Sequence, residues 1–587
     1  MKKILYFILV LLLGIFIYSC EKDFLDRTPL DEISDPDFWK TQTDLELYLN
    51  RFYDDDEFEG WWPAGGGMAP TLDNGTDMAY ESLNVYYDTY TKRLDGMLTV
   101  PASGEGYDWG GGWDWENIRN INYFLANADR VEESGDMVDH YIGEGHCFRA
   151  IFYYALFRDF GALPIITEPV EVDDENILYG SRSSRTEVFD FILSDLDEAI
   201  SKMKYGKDLT HHQTRLSKDI ALVYKARACL FEGTWEKYHQ GTAFAGSTDG
   251  SAYLQMAADA AKQVIDDGNY SLVTGDPNSV YFELFNKMDY TGNPEVMFFK
   301  HYDRLTYGTS FSNQMWNWPN GYGWTHEILK NYLCADGLPI AVSPLFQGDD
   351  SLSVIEINRD PRLAQSIMVP GDPRYIDGTD TTFYDVPELF GCPTGYESQK
   401  FRYWWVDPQR GIENHDVDYI FMRFAEPLLI YAEAKAELGT ITQGDVDMTI
   451  NQLRDRVDMP HLTLGSITVD PNWPDWGYAL SDILQEIRRE RVVELLGEGR
   501  RFEDLMRWRA HNLWYGKRFT GTFYTPALKA SNPNIEENAQ GFLDPFALWL
   551  NGPNGGYGFN ANRDYLAPLP INELTLNPNL DQNPGWE

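Results

Sequence analysis

The chain has 587 residues, of which 43% are hydrophobic and 24% charged, the balance of a folded globular protein rather than a disordered one. Its 92 acidic against 48 basic side chains give a formal charge of −44, which repels phosphate backbones and argues against nucleic acid as a partner. Neutral ligands such as sugars or peptides stay open, and 18 Trp and 36 Tyr are more aromatic surface than a core of this size calls for.

The chain opens on MKKILYFILVLLLGIFIYSC, with Lys2 and Lys3 ahead of an apolar run and Ser19-Cys20 at its end. A charged start, an apolar middle and a small residue before the break mark an export signal. The apolar run of about 15 residues is short for a helix that spans hydrocarbon. Ile17-Tyr18-Ser19-Cys20 resembles the bacterial lipoprotein box, in which the cysteine is lipid-modified and becomes the mature N-terminus, although Tyr18 departs from the small residue usual there. A signal peptide over 1–19 and a lipidated tether over 20–35 are therefore expected. The other cysteines, Cys147, Cys229, Cys334 and Cys392, form no C-x-x-C pair, so neither zinc nor a redox motif is indicated. Export permits disulfides, but buried free thiols fit the wide spacing at least as well.

Apolar residues recur at helical spacing in 137–161, 185–203 and 217–235, and again in 424–439, 449–459 and 480–508. Gly161, with Pro164 behind it, is the expected end of the first. Ala226, Ala228, Ala432, Ala434 and Ala436 sit where helices can approach closely. Paired helices with short turns predict a mainly α fold of tetratricopeptide-like helix pairs, although no strict repeat is visible. Between the pairs run long stretches rich in Gly, Pro, Asn, Asp and Trp, at about 54–114, 268–325, 337–418 and 511–563. They are dense in aromatics, so they read as loops with short strands, and loops this long usually serve function. The chain thus divides into an N-terminal helical region, 36–267, carrying the insertion 54–114, and a C-terminal region, 268–587.

Several stretches are recognisable together. EGHCFRAIFYYALFRDFGALPIITEP (144–169), NRDPRL (358–363), GYESQKF (395–401), RFAEPLLIYAEAKAELG (423–439), NQLRDRVDMP (451–460), IRRERVVELLGEGRRFEDLMRW (487–508) and YLAPLPINELTLNPNLDQNPGW (565–586) resemble motifs of the SusD/RagB family, in the expected order and over nearly the whole chain after Cys20. The resemblance implies a surface lipoprotein of the outer membrane on a tetratricopeptide-like scaffold. Such a protein sits on a SusC-like TonB-dependent transporter and passes captured nutrient, most often oligosaccharide, to it without catalysis. Glu21-Lys22-Asp23 looks like the acidic signal that sends such lipoproteins to the cell surface. Fold carries over from such a likeness; substrate does not.

Three aromatic clusters are candidates for the ligand. In YDWGGGWDWENI (107–118), Asp114 is a good N-cap for a helix starting at Trp115, and Trp113 and Ile118 have hydrophobic-staple spacing. Trp113 and Trp115 therefore read as structural, and Trp115 also fills an aromatic position seen before the equivalent helix in the family. Trp109, beside three glycines and outside any periodicity, reads as a ligand platform. EGWWPAGGGMAPTLDNGTD supplies Trp61, Trp62, Asp73, Asn74 and Asp77, and SNQMWNWPNGYGW supplies Trp316, Trp318, Asn320 and Tyr322. A flat indole covers the C–H face of a sugar while Asp and Asn bond its hydroxyl rim, the pattern of small-ligand sites. Trp324 resembles a scaffold position of the family and is left out. RYWWVD (402–407) reads as an interior strand.

No catalytic motif is present. His326-Glu327 begins like a zinc-protease helix, but Lys330 stands where the second histidine is required. The nucleophile elbow, phosphate loop and EF-hand are absent as patterns. No cofactor is indicated; DGTDTTFYD (377–385) offers oxygens that calcium could use, but it reads better as a solvated acidic loop. A protein of the same architecture that binds peptides or another non-glycan nutrient and, behind it, a glycoside hydrolase are the alternatives to glycan capture.

Overall fold

The helix that follows Ser184 begins on a capping box. The Ser184 side chain accepts from the Glu187 N–H, and the Glu187 carboxylate accepts from the Ser184 N–H at 2.9 Å. The computed structural model describes residues 38–54, 73–81, 89–104, 112–170, 173–303, 322–405, 416–547, 550 and 552–587. The signal peptide, Cys20 and the tether lie outside them.

The scaffold helices are α1 (Gln42–Asn50), α2 (Glu116–Ala128), α3 (Asp136–Phe160), α4 (Arg185–Lys202), α5 (Lys218–Tyr238), α6 (Ser251–Asp267), α7 (Ala425–Glu437), α8 (Gln443–Met448), α9 (Ile450–Arg456), α10 (Asp482–Glu494) and α11 (Arg501–Arg507). From α2 to α7 each packs on the next, and α10 packs on α7. That is the stacked helix-pair architecture the spacing predicts. The alanines singled out in the sequence are all buried at these contacts. Helix α3 ends at Gly161, whose N–H returns to the Phe157 carbonyl at 2.9 Å. The four described cysteines are buried and unpaired. No helix among the described residues is long and apolar enough to cross a membrane.

Two sequence expectations need correction. The helical pattern over 480–508 is not one helix, because Gly497 takes φ +75° and breaks it into α10 and α11. RYWWVD is not an interior strand: Trp405 makes one isolated bridge to Ile376, and its side chain is 46% exposed.

The strands described form three antiparallel pairs: β1 (Ala79–Glu81) with β3 (Tyr322–Trp324), β2 (Val296–Lys300) with β6 (Tyr419–Arg423), and β4 (Pro373–Asp377) with β5 (Asp380–Phe383). The last pair occupies the acidic stretch 377–385. No group of three metal-ligating side chains converges among the described residues.

A buried ionic network locks β6, α9 and α10 together. Arg423 reaches Glu295 at 2.9 Å and Glu494 and Glu498 at 2.7 Å. Arg456 reaches Glu494 at 2.7 Å, and Arg362 reaches Asp360 and Glu490 at 2.7 Å and Glu494 at 2.9 Å. Burial would raise the Glu494 carboxyl, but Arg456, Arg423 and Arg362 outweigh it and hold the group far below the usual carboxylate range. Lys400, fully buried, is pushed down to about 8 by desolvation while its Nζ bonds Tyr281 Oη, the Leu496 carbonyl and Glu498. Removing one partner from such a network strands a buried charge, so each member holds the others in place.

Candidate functional site

The pairing of β1 with β3 is what positions the candidate site. Ala79 pairs with Trp324, Tyr80 with Gly323 and Glu81 with Tyr322. The Trp61-Trp62 loop runs into residue 73 just before β1, and the Trp316-Trp318 loop runs directly into β3. Two aromatic stretches some 250 residues apart in sequence therefore lead into one small antiparallel ribbon, the first at its Ala79–Trp324 end and the second at its Glu81–Tyr322 end. The ribbon is pinned on both sides. The Thr325 N–H donates to the Met78 carbonyl at 2.9 Å and its hydroxyl to the Asp77 carbonyl at 2.5 Å. The Trp324 N–H donates to the Tyr396 carbonyl at 3.0 Å, and its buried indole Nε1 donates to the Ser366 carbonyl at 3.2 Å. Gly323 is needed for this approach: a Cβ there would overlap the Thr394 hydroxyl and lie 2.5 Å from Cys392 Sγ.

The carboxylates expected at a ligand rim act inside the ribbon's foundation instead. Asp73, 1% exposed, accepts from the Gly497 N–H at 2.6 Å and the Arg501 N–H at 3.1 Å, capping the start of α11. Burial pushes its carboxyl up to about 6 against those two bonds. Asp77, 5% exposed, takes both Nε (2.8 Å) and Nη2 (2.6 Å) of Arg501 in a bidentate pair. The reason is the break at Gly497, which frees the amides and the guanidinium these two aspartates satisfy. Asn74 is buried beside them, its Nδ2 without a partner among the described residues.

Trp61, Trp62, Trp109, Trp316, Trp318 and Asn320 lie outside the described residues. Tyr322 is placed on β3 opposite Glu81. The Trp109 loop has a separate root. Its ends come together because a Cβ on Gly104 would lie 2.7 Å from the Trp113 carbonyl oxygen, and the preceding segment accepts from the Ile571 and Asn572 N–H groups through the Pro101 and Ala102 carbonyls at 3.0 Å. The structure thus brings two of the three aromatic loops to one ribbon and anchors the third at the C-terminal segment.

Trp113 and Trp115 have the structural roles their spacing predicts. Trp113 is buried edge-on against Phe160 at 4.9 Å, and Trp115, half-buried, lies 5.4 Å from it. Asp114 Oδ1 accepts from the Glu116 N–H at 2.8 Å, and the helix begins at Glu116, one residue later than expected. Trp324 belongs to the core, as its exclusion from the ligand set anticipated.

Residues 286–586, more than half of the chain, match the model of the SusD family. The chain belongs to the SusD family. Residues 23–230 of this SusD family member match a second model, described as starch-binding and associating with the outer membrane. SusD-like protein P2 of Formosa agariphila is 26% identical over all of both chains. Among solved structures, a SusD-like carbohydrate-binding protein of Bacteroides fragilis shares the fold with a TM-score of 0.69 at 21% identity, covering 93% of this chain and 100% of its own. A laminarin-binding SusD-like protein aligns with a TM-score of 0.54 at 19% identity, over 93% of this chain and 100% of its own.

Proposed function

We propose that this SusD family member is a cell-surface lipoprotein that captures oligo- or polysaccharide and hands it to a SusC-like TonB-dependent transporter, without turning it over. The observation that carries the reading is the antiparallel β1–β3 ribbon, into whose two strands lead two stretches rich in Trp, Gly and Asn. Indole faces set next to amide and hydroxyl groups suit a ligand with apolar faces and a polar rim. That two of the similar structures are a carbohydrate-binding and a laminarin-binding protein supports saccharide over peptide. The charge of −44 supports a neutral glycan over a polyanionic one.

The signal peptide over 1–19, lipidation at Cys20, the tether to residue 35 and the division near residue 267 belong to the same proposal. Trp61, Trp62, Trp109, Trp316, Trp318, Asn320 and Tyr322 are the proposed contacts, with Asn74 behind them. Asp73 and Asp77 are not among them, because the Gly497 and Arg501 amides and the Arg501 guanidinium already hold their oxygens.

The test is affinity electrophoresis of residues 21–587, which include every described element, through gels holding a panel of polysaccharides. Retardation by one polymer, abolished in Trp316→Ala or Trp109→Ala, with no release of reducing ends, supports the whole reading. Retardation that survives both substitutions keeps glycan capture and removes these contacts. No retardation by any polymer leaves the peptide-binding alternative. Co-purification of a TonB-dependent transporter with the full-length chain, lost in Cys20→Ala, tests the anchor and the partner.

A further inference from the structure

A second aromatic face lies on the β4–β5 ribbon, and it uses none of the loop residues above. Ile376 is in register with Thr381, and Pro373 with Phe383, with an irregularity around Arg374 between the two pairs. Trp405 bridges Ile376 in parallel, and the Ile376 N–H donates to the Trp404 carbonyl at 2.7 Å. Register partners share a face and alternate residues point the same way. Phe383, Thr381, Ile376 and Trp405 therefore share one side of the ribbon, and the Trp404 ring packs 5.9 Å from that of Trp405 at 42°.

The two tryptophans differ in what they do. Trp404 is an anchor: its ring stacks on Phe282 at 4.3 Å and 21°, and its Nε1 donates to Gln399 Oε1 at 3.4 Å. Trp405 and Phe383 remain 46% and 60% exposed. The Tyr403 ring lies 5.3 Å from that of Trp405 at 53°. An indole held by its neighbour's packing, yet left in water, forgoes a large burial. Asp377, Asp380 and Asp385, all exposed, edge the ribbon.

We propose that this face is a second carbohydrate contact that takes a short run of neutral sugars, with Trp405 as its platform. The proposal rests on the glycan reading above. A protein partner fits poorly, since a handful of side chains on one ribbon falls well short of the roughly 800 Å² per partner that stable association uses. Burying the rim carboxylates in a dry interface would also cost free energy, whereas sugar hydroxyls can donate to them while they stay wet. The same rim repels sulfated or uronic chains.

The experiment compares wild type, Trp405→Ala, Trp405→Phe, Trp316→Ala and the Trp316→Ala/Trp405→Ala double variant on the retaining polysaccharide, with thermal unfolding run in parallel. Expected is a three- to tenfold loss of affinity in Trp405→Ala at unchanged Tm, most of it restored in Trp405→Phe, and a double variant weaker than either single one. Loss in Trp405→Ala but none in Trp316→Ala also supports this face and overturns the loop contacts instead. Wild-type retardation in Trp405→Ala, alone and on the Trp316→Ala background, overturns the second contact and leaves glycan capture intact. If no polysaccharide retards the wild type, both readings fall.

Discussion

The charged interior between β6, α9 and α10 and the β1–β3 ribbon with its loops use the same residue types to opposite ends. In the interior, Arg362, Arg423 and Arg456 converge on Glu494, all of them buried, so every charge depends on its neighbours. At the ribbon, Asp73 and Asp77 satisfy the backbone and one guanidinium, and fix the strand into which an aromatic stretch leads. Position is over-determined in the first region and only rooted in the second. Stability should therefore respond to changes in the interior, and binding to changes at the ribbon and beyond it.

The sharpest break is expected at Glu494. Glu494→Gln leaves three buried arginines short of a carboxylate and should cost about 3–5 kcal/mol, read as a lowered midpoint in urea unfolding. A smaller loss would mean that Glu295, Glu490 and Glu498 redistribute to cover it. Gly323→Ala comes next and joins the two regions. Its Cβ would overlap Thr394, so about 1–3 kcal/mol of stability should go, together with glycan affinity, because the ribbon carries both loop roots. Thr394→Ser should not rescue it, since the hydroxyl remains, whereas Thr394→Ala should restore part of both. Trp316→Ala should lower polysaccharide affinity about tenfold, near 1.4 kcal/mol, and leave the unfolding midpoint where it was.

Acid should separate the regions as well. Burial alone would raise Glu426, but Arg227 beside it holds the carboxyl down to about 2, and Glu494 is depressed further by its three arginines. A carboxyl depressed on folding contributes stability that is complete above its unfolded value near 4.5 and is lost as pH falls from there towards its folded value. Thermal unfolding should thus show a midpoint insensitive to these groups between pH 7 and 5, and an acid limb beginning near pH 4.5. Replacing Arg227 with Met should flatten part of that limb. The smallest effect on stability belongs to Trp405→Ala, under about 0.5 kcal/mol, because the side chain stands half in water.

How much of this was legible in the sequence follows the same division. The helix stack was, because apolar residues at helical spacing and buried alanines are local signals that packing obeys. The family likeness was, and the structure shows a reason: Arg362, Lys400, Arg423, Arg456 and Glu494 all sit in the recognisable motifs and all belong to the buried network. Asp73 and Asp77 were misread, because a sequence window of Asp, Asn and Gly beside tryptophans cannot reveal an Arg501 more than 400 residues away. Trp405 was misread for the complementary reason. RYWWVD has the composition of a buried strand, and only the tertiary fold stacks Trp404 on Phe282 while it leaves Trp405 half exposed.

The sequence by itself determined the helical scaffold, the family and an aromatic, acidic chain suited to neutral ligands, since periodicity, motif order and net charge are properties of the chain read along its length. The tertiary structure decided that two distant aromatic loops share the β1–β3 root, that the nearby carboxylates face inward, and that the β4–β5 ribbon holds an indole in water. Those facts depend on strand pairing and charge compensation between residues far apart in the chain, which no local pattern encodes.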